Sequence, residues 1–315
     1  MSMLYYFFSN KEKENAYLFD GLKIIQNHAI MKHQNQYPVI FITLKQMKGE
    51  TFQQQKNQFA ILVFNVIEKN LELLSSNQLS DVRKQILSDL HSMKASDEIL
   101  SNSLQILCES LSLHYHQKVI LLIDEYDVPL QNAYINGYYK EMTYFINHVF
   151  SSALKTNDSL KRGILTGCLR IAKESIFTGL NNFTVRSIID KEANDYFGFR
   201  QNEIDKLLSY YHLEDKQNEM KAWYDGYFFG GVDIYNPWSA MNYVSKLLAN
   251  SDFIAESFWA NTSSNDIIRE YIENSSQTMK EEFEQLIQGK SIVKKITQEL
   301  TYADMDFSHC MNDDI

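Results

Sequence analysis

Apolar positions along this chain follow two rhythms. The string Val119-Ile120-Leu121-Leu122-Ile123 is apolar without polar alternation, the pattern of a strand buried on both faces of a parallel sheet. Val39-Ile40-Phe41-Ile42-Thr43-Leu44, just after Pro38, predicts a second such strand. Between them the spacing turns helical: Ile99, Leu100, Leu104, Leu107 and Leu111 predict a helix over about 97 to 113, with Ser96 as its cap and Asp97 and Glu98 suited to the dipole at its start. After Asp127 and the breaker Pro129, Met142, Phe145, Ile146, Val149, Phe150 and Ala153 predict another amphipathic helix. Arg162-Gly163-Ile164-Leu165-Thr166-Gly167 reads as a short strand, and residues 183–189 as a further one. Strands alternating with helices imply an α/β fold with parallel pairing.

Beyond about residue 190 the pattern shifts towards helices and aromatic loops. Trp223, Tyr224, Tyr227, Phe228 and Phe229 gather around Gly226, Gly230 and Gly231 and predict a turn-rich segment. Asn236 before Pro237 starts a helix through Met241, Val244, Leu247 and Leu248. The expected organisation is an α/β core over 1–190 and a mainly helical second domain over 191–315.

Composition narrows the class. A length of 315 residues is enough for a sizeable core. The net charge of −10 argues against broad contact with nucleic-acid backbones. Cys108, Cys168 and Cys310 are far apart and odd in number, as expected of cytosolic thiols and not of a disulfide framework or zinc site. No apolar run approaches the roughly 20 residues that cross a bilayer, and the start lacks the basic n-region of a signal peptide. A soluble cytoplasmic protein is expected.

The chemistry concentrates where the Val119 strand ends, in Asp124-Glu125-Tyr126-Asp127. Ligands of open α/β sheets sit off the carboxyl ends of the strands, so these carboxylates would reach the ligand crevice. That is the arrangement of a Walker B element, in which an aspartate holds Mg²⁺ and a neighbouring glutamate positions or deprotonates water. The alternative is an acidic strand end facing solvent. Asp127 is assigned to the turn before Pro129 as an Asx-type residue in preference to a metal role. Arg170, after Thr166-Gly167, would stabilise phosphate charge or else pair with Glu174 one helical turn on.

Other strings are read structurally. Glu219-Met220-Lys221 has no aspartate at a preceding strand tip to share a metal, and His114 and His116 share no helical face and have no carboxylate or cysteine partner. Gly289-Lys290-Ser291 lacks a glycine five positions earlier, where Glu284 stands, and follows a helical run, so Gly289 is assigned as a helix-ending glycine.

Several strings together resemble the bacterial AAA-ATPase-like family, whose longer members often carry a C-terminal PD-(D/E)XK nuclease-like domain. They are Leu122-Ile-Asp-Glu-Tyr-Asp-Val-Pro-Leu130, the string from Gly163 to Phe177, Asp195-Tyr-Phe-Gly-Phe199, Trp223-Tyr-Asp-Gly-Tyr227, Tyr235-Asn-Pro-Trp-Ser239 and the string from Trp259 to Asp266. The resemblance implies a P-loop NTPase-like parallel sheet, with ATP and Mg²⁺ as cofactors in intact relatives. It implies Asp124 as the Mg²⁺ residue, acting through water, Glu125 as base, and Arg170 or Thr166 as sensor of the terminal phosphate.

It also implies two departures. The family places a strand and an Arg-Phe-Gly-Lys-Ser-like phosphate loop just before a segment similar to residues 2–8, and this chain starts after that loop. The expectation is an AAA-like module missing its first strand and phosphate loop, from a truncated gene model, a decayed gene or a split protein, that does not hydrolyse ATP alone. The alternative is a non-enzymatic interaction or regulatory remnant binding an unknown protein partner. The second departure is Arg200, where the family has a Thr; a capping box with Glu203 would lose its cap, at a cost of about 1 kcal/mol.

Overall fold

The computed structural model describes residues 1–168, 183–258 and 277–293. The chain falls into two compact units, one of Met1–Asn182 with Val293–Ile315 and the other of Phe183–Ile292. No helix among the described residues is long and apolar enough to cross a membrane.

The first unit is built on a three-stranded parallel sheet, β1 (Val39–Thr43), β2 (Val119–Asp124) and β3 (Leu160–Leu165), in the order β1-β2-β3. Its helices are α1 (Ser2–Phe8), α2 (His28–Met31), α3 (Phe52–Glu68), α4 (Asp81–His91), α5 (Asp97–Ser101), α6 (Ser103–Tyr115), α7 (Val128–Ile135) and α8 (Tyr139–Leu154). The continuous apolar run takes the central position, with every residue from Val119 to Ile123 buried. One set of alternating side chains, Val39 and Phe41 on β1, Ile120 and Leu122 on β2, and Ile164 on β3, packs with Leu4, Tyr5 and Phe8 of α1. The other set, including Ile40, Ile42, Leu121 and Ile123, is buried as well, and α3, α6 and α8 contact β1, β2 and β3. Both faces are covered, as a parallel sheet requires.

Local signals fix several element ends. Thr51 and Gln54 form a capping box at the head of α3: the Thr51 hydroxyl accepts from the Gln54 amide and the Gln54 side chain from the Thr51 amide, both at 3.3 Å. Ser96 accepts from the Ile99 amide, as expected. The helix expected over about 97 to 113 is instead broken at Asn102 into α5 and α6. Ser101, Asn102 and Ser103 stand in succession there, and the Ser101 hydroxyl and Asn102 amide side chain bond back to the Glu98 carbonyl, competing with the helical ladder. Pro129 does not break the chain; it sits in the first turn of α7, where a missing N–H costs nothing.

The second unit holds α9 (Gln201–Tyr210), α10 (Gln217–Tyr224), the antiparallel pair β4 (Asp225–Phe229) and β5 (Val232–Tyr235), α11 (Pro237–Ala249) and the helix Gln277–Ile287. Ile204, Leu208, Met220, Tyr224, Tyr243 and Val244 are the centre of its core. The aromatic segment expected to be turn-rich is a β-hairpin. Gly230 and Gly231 form its two-residue loop with φ of 50° and 95°, the left-handed pair that a tight hairpin turn demands. Asn236 caps α11 by accepting from the Ser239 amide at 3.0 Å. Gly289, at φ 75°, ends the helix Gln277–Ile287, and the Lys290 amide reaches back to the Gln285 carbonyl at 2.9 Å, as expected of a helix-ending glycine. Half of the capping box at α9 survives: Arg200 offers no side-chain acceptor, but its amide donates to Glu203 Oε2 at 3.0 Å.

One expected strand is not formed. Residues 183–189 pair with no neighbour as a strand among the described residues. The Asp190 carboxylate accepts from the Ser187 amide at 2.6 Å, and the Asp190 amide donates to the Ser187 carbonyl at 3.1 Å, so the segment closes into a turn.

Candidate functional site

The carboxyl edge of the parallel sheet gathers the acidic string. Asp124 is the last residue of β2 and lies in register with Thr43 at the end of β1, while the Leu44 amide donates to the Asp124 carbonyl at 2.9 Å. On the other side the chain leaving β3 stays in contact with β2. The Thr166 amide donates to the Ile123 carbonyl at 3.0 Å, and the Tyr126 amide donates to the Thr166 carbonyl at 3.1 Å. These bonds bring the Thr166 hydroxyl onto Asp124 Oδ1, to which it donates. Asp124 and Glu125 are half-buried and Thr166 is exposed, so the group faces solvent from a rigid edge.

The backbone at this edge is strained. Glu125 has φ 54°, a left-handed conformation that costs a residue with a Cβ about 1 to 2 kcal/mol. It turns the chain sharply from β2 into the α7 start, where the Val128 amide donates to the Glu125 carbonyl at 3.2 Å. The strand thus ends with Asp124 and Glu125 on successive, differently directed backbone positions.

Asp127 departs from the expected role. It precedes α7, and its carbonyl accepts from Leu130 and Gln131 amides, yet its side chain makes no capping bond to that helix. The carboxylate is buried and accepts from the Cys168 amide at 3.1 Å. Gly167 permits this approach, because a Cβ there would stand 2.6 Å from Asp127 Oδ1 and 2.8 Å from the Tyr126 ring. Sequence spacing gave no sign of this link between residues 41 apart; the glycine between Thr166 and Cys168 was its one local trace. Cys168 is exposed, but partial desolvation pushes its thiol up, and the negative charges of Asp127, Glu125 and Asp124 push it further the same way.

Asp124, Glu125 and Thr166 are therefore brought together, and Arg170 with its alternative partner Glu174 lies outside the described residues. No group of three or more His, Cys, Asp or Glu side chains among the described residues is arranged to hold a metal ion. A cation at this edge would take one or two carboxylates and fill its remaining positions with water or phosphate oxygens, a donor set that suits Mg²⁺.

Comparison with known proteins gives a family. Over 126 residues the chain is 27% identical to an uncharacterized protein in the vnfD 5' region of Azotobacter chroococcum mcd 1. That match takes in 40% of this chain and 24% of the relative, so the chain spans about a quarter of the relative's length. No solved structure matches it. The family described as "Predicted AAA-ATPase" matches residues 1–177, more than half of the chain, across the whole of the sheet and its acidic edge. The chain belongs to the AAA-ATPase-like family.

Proposed function

We propose that the carboxyl edge of the sheet is the acidic half of a Mg²⁺–nucleoside triphosphate site, with ATP as the nucleotide, and that this chain by itself binds without hydrolysing. The observation that carries the reading is the Thr166 hydroxyl on Asp124 Oδ1, with Glu125 next in the chain. One carboxylate oxygen is oriented by a donor, which leaves the other to meet a metal-bound water. Mg²⁺ would supply charge neutralisation on the phosphate oxygens when bound. Asp124 would hold it through water, Glu125 would act as base or water-positioning group, and Thr166, or Arg170, would read the terminal phosphate.

The 315 residues contain no Gly-x-x-x-x-Gly-Lys-Ser/Thr string. Backbone amides and a lysine cradling the phosphates are therefore not supplied by that motif, and weak binding without turnover is the expected behaviour. Calorimetric titration with ATP tests this, with and without Mg²⁺. Mg²⁺-dependent binding that is lost in Asp124→Ala supports the reading; equal titrations of the two proteins refute it. Turnover by purified protein, abolished by Glu125→Gln, would refute the claim of no hydrolysis.

A second reading is favoured by exposed aromatics in the other unit, where Tyr196, Phe197 and Phe228 are 80%, 77% and 69% exposed. In that reading the unit is a non-enzymatic docking module for a protein partner in the cytoplasm. It predicts no nucleotide dependence at all, so the same titration separates the two.

A further inference from the structure

We infer that Asp127 is a positioning residue of this site: its buried carboxylate clasps the loop 166–168 and thereby sets where the Thr166 hydroxyl meets Asp124. The functional half of this inference rests on the Mg²⁺–nucleotide reading above; the clasp itself does not.

Four observations carry it. Asp127 is only 2% exposed, although it follows two half-buried acidic positions at a solvent-facing edge. Its side chain leaves the helix it precedes uncapped and instead accepts from the Cys168 amide at 3.1 Å. A carboxylate–amide bond, here part-buried, is charge-assisted and among the stronger hydrogen bonds a loop can make. On the far side of Gly167, the Thr166 carbonyl accepts from the Tyr126 amide at 3.1 Å, so the loop is held from residues 126 and 127 at both of its ends. Between those two bonds a Cβ added at Gly167 would stand 2.6 Å from Asp127 Oδ1 and 2.8 Å from the Tyr126 ring, so any larger residue must move the loop or those side chains apart.

The geometry separates this role from that of a third metal ligand. A ligand carboxylate must present an oxygen to the cation, whereas a clasp needs only an acceptor for the Cys168 amide. Asp127→Asn keeps an amide oxygen as acceptor and removes the charge; Asp127→Ala removes both. Gly167→Ala keeps the carboxylate's chemistry and forces the loop and the carboxylate apart.

The test measures two things on the full chain. Hydrogen exchange of the Cys168 amide reads the clasp directly, with no ligand present. Protection is expected in wild type and Asp127→Asn, and a fall of at least tenfold in Asp127→Ala and Gly167→Ala. Unchanged protection in a folded Asp127→Ala overturns the clasp. Titration with Mg²⁺ and ATP then reads its consequence: Asp127→Asn within about twofold of wild type, and the other two variants at least tenfold weaker. An Asp127→Asn protein as impaired as Asp124→Ala makes Asp127 a ligand and overturns the positioning role. Wild-type protein that shows a protected Cys168 amide but no Mg²⁺-dependent binding refutes the site reading and leaves the clasp standing.

Discussion

The left-handed backbone at Glu125 predicts an inverted response to glycine. At most positions glycine is the less stable replacement, because the unfolded chain gains freedom worth about 0.5 to 1 kcal/mol relative to alanine. At φ 54° the order reverses. Alanine retains the clash of its Cβ with the following carbonyl, about 1 to 2 kcal/mol, and glycine does not. Setting the middle of one range against the middle of the other leaves Glu125→Gly more stable than Glu125→Ala by about 0.75 kcal/mol. Both variants lack the carboxylate, so the comparison is independent of the side chain's chemistry. Urea denaturation measures the difference: with a slope of about 2 kcal/mol/M, the midpoints separate by roughly 0.4 M. Far-UV circular dichroism and tyrosine fluorescence are the probes to use. An alanine variant as stable as the glycine variant would refute the claim that the sheet imposes strain at this carboxylate.

Two further outcomes are expected. The Cys168 thiol is pushed up by partial desolvation and then by the carboxylates of Asp127, Glu125 and Asp124, both of which disfavour the thiolate. In a Cys310→Ser background, with Cys108 buried and its thiol pushed up to about 12, iodoacetamide should therefore modify Cys168 slowly at pH 8. Millimolar Mg²⁺ should shift the pH–rate profile to lower pH by offsetting the carboxylate charge; a profile that ignores Mg²⁺ argues against cation binding at this edge. In the second unit, Asn236→Ala removes the acceptor of the Ser239 amide and should destabilise it by about 1 kcal/mol, seen as an earlier tryptophan transition in urea. An unchanged transition would mean that water replaces the cap at no cost.

The Val119 run was legible as a central strand because burial on both faces leaves a one-dimensional trace, an unbroken apolar string. The starts of α5 and α11 and the end of the helix Gln277–Ile287 follow from residues within four positions of one another, the range over which caps act. Where several such signals compete, the reading failed. The apolar spacing of Leu100, Leu104 and Leu107 continued straight through Asn102, while the side chains of Ser101 and Asn102 competed with the backbone for the Glu98 carbonyl. The β4–β5 hairpin was hidden by its aromatic content, although its Gly230-Gly231 pair is a hairpin loop by conformation. Residues 183–189 have strand composition but no ladder partner among the described residues, and composition cannot supply one.

By itself, then, the sequence determined that a parallel strand would end in Asp124 and Glu125 at the carboxyl edge of an α/β sheet. Only the tertiary structure decided what those carboxylates face. The Thr166 hydroxyl on Asp124, the Cys168 amide on Asp127 and the left-handed turn at Glu125 depend on β2 and β3 lying side by side. Residues 41 and 42 apart in the chain meet there through backbone pairing, which side-chain periodicity does not encode.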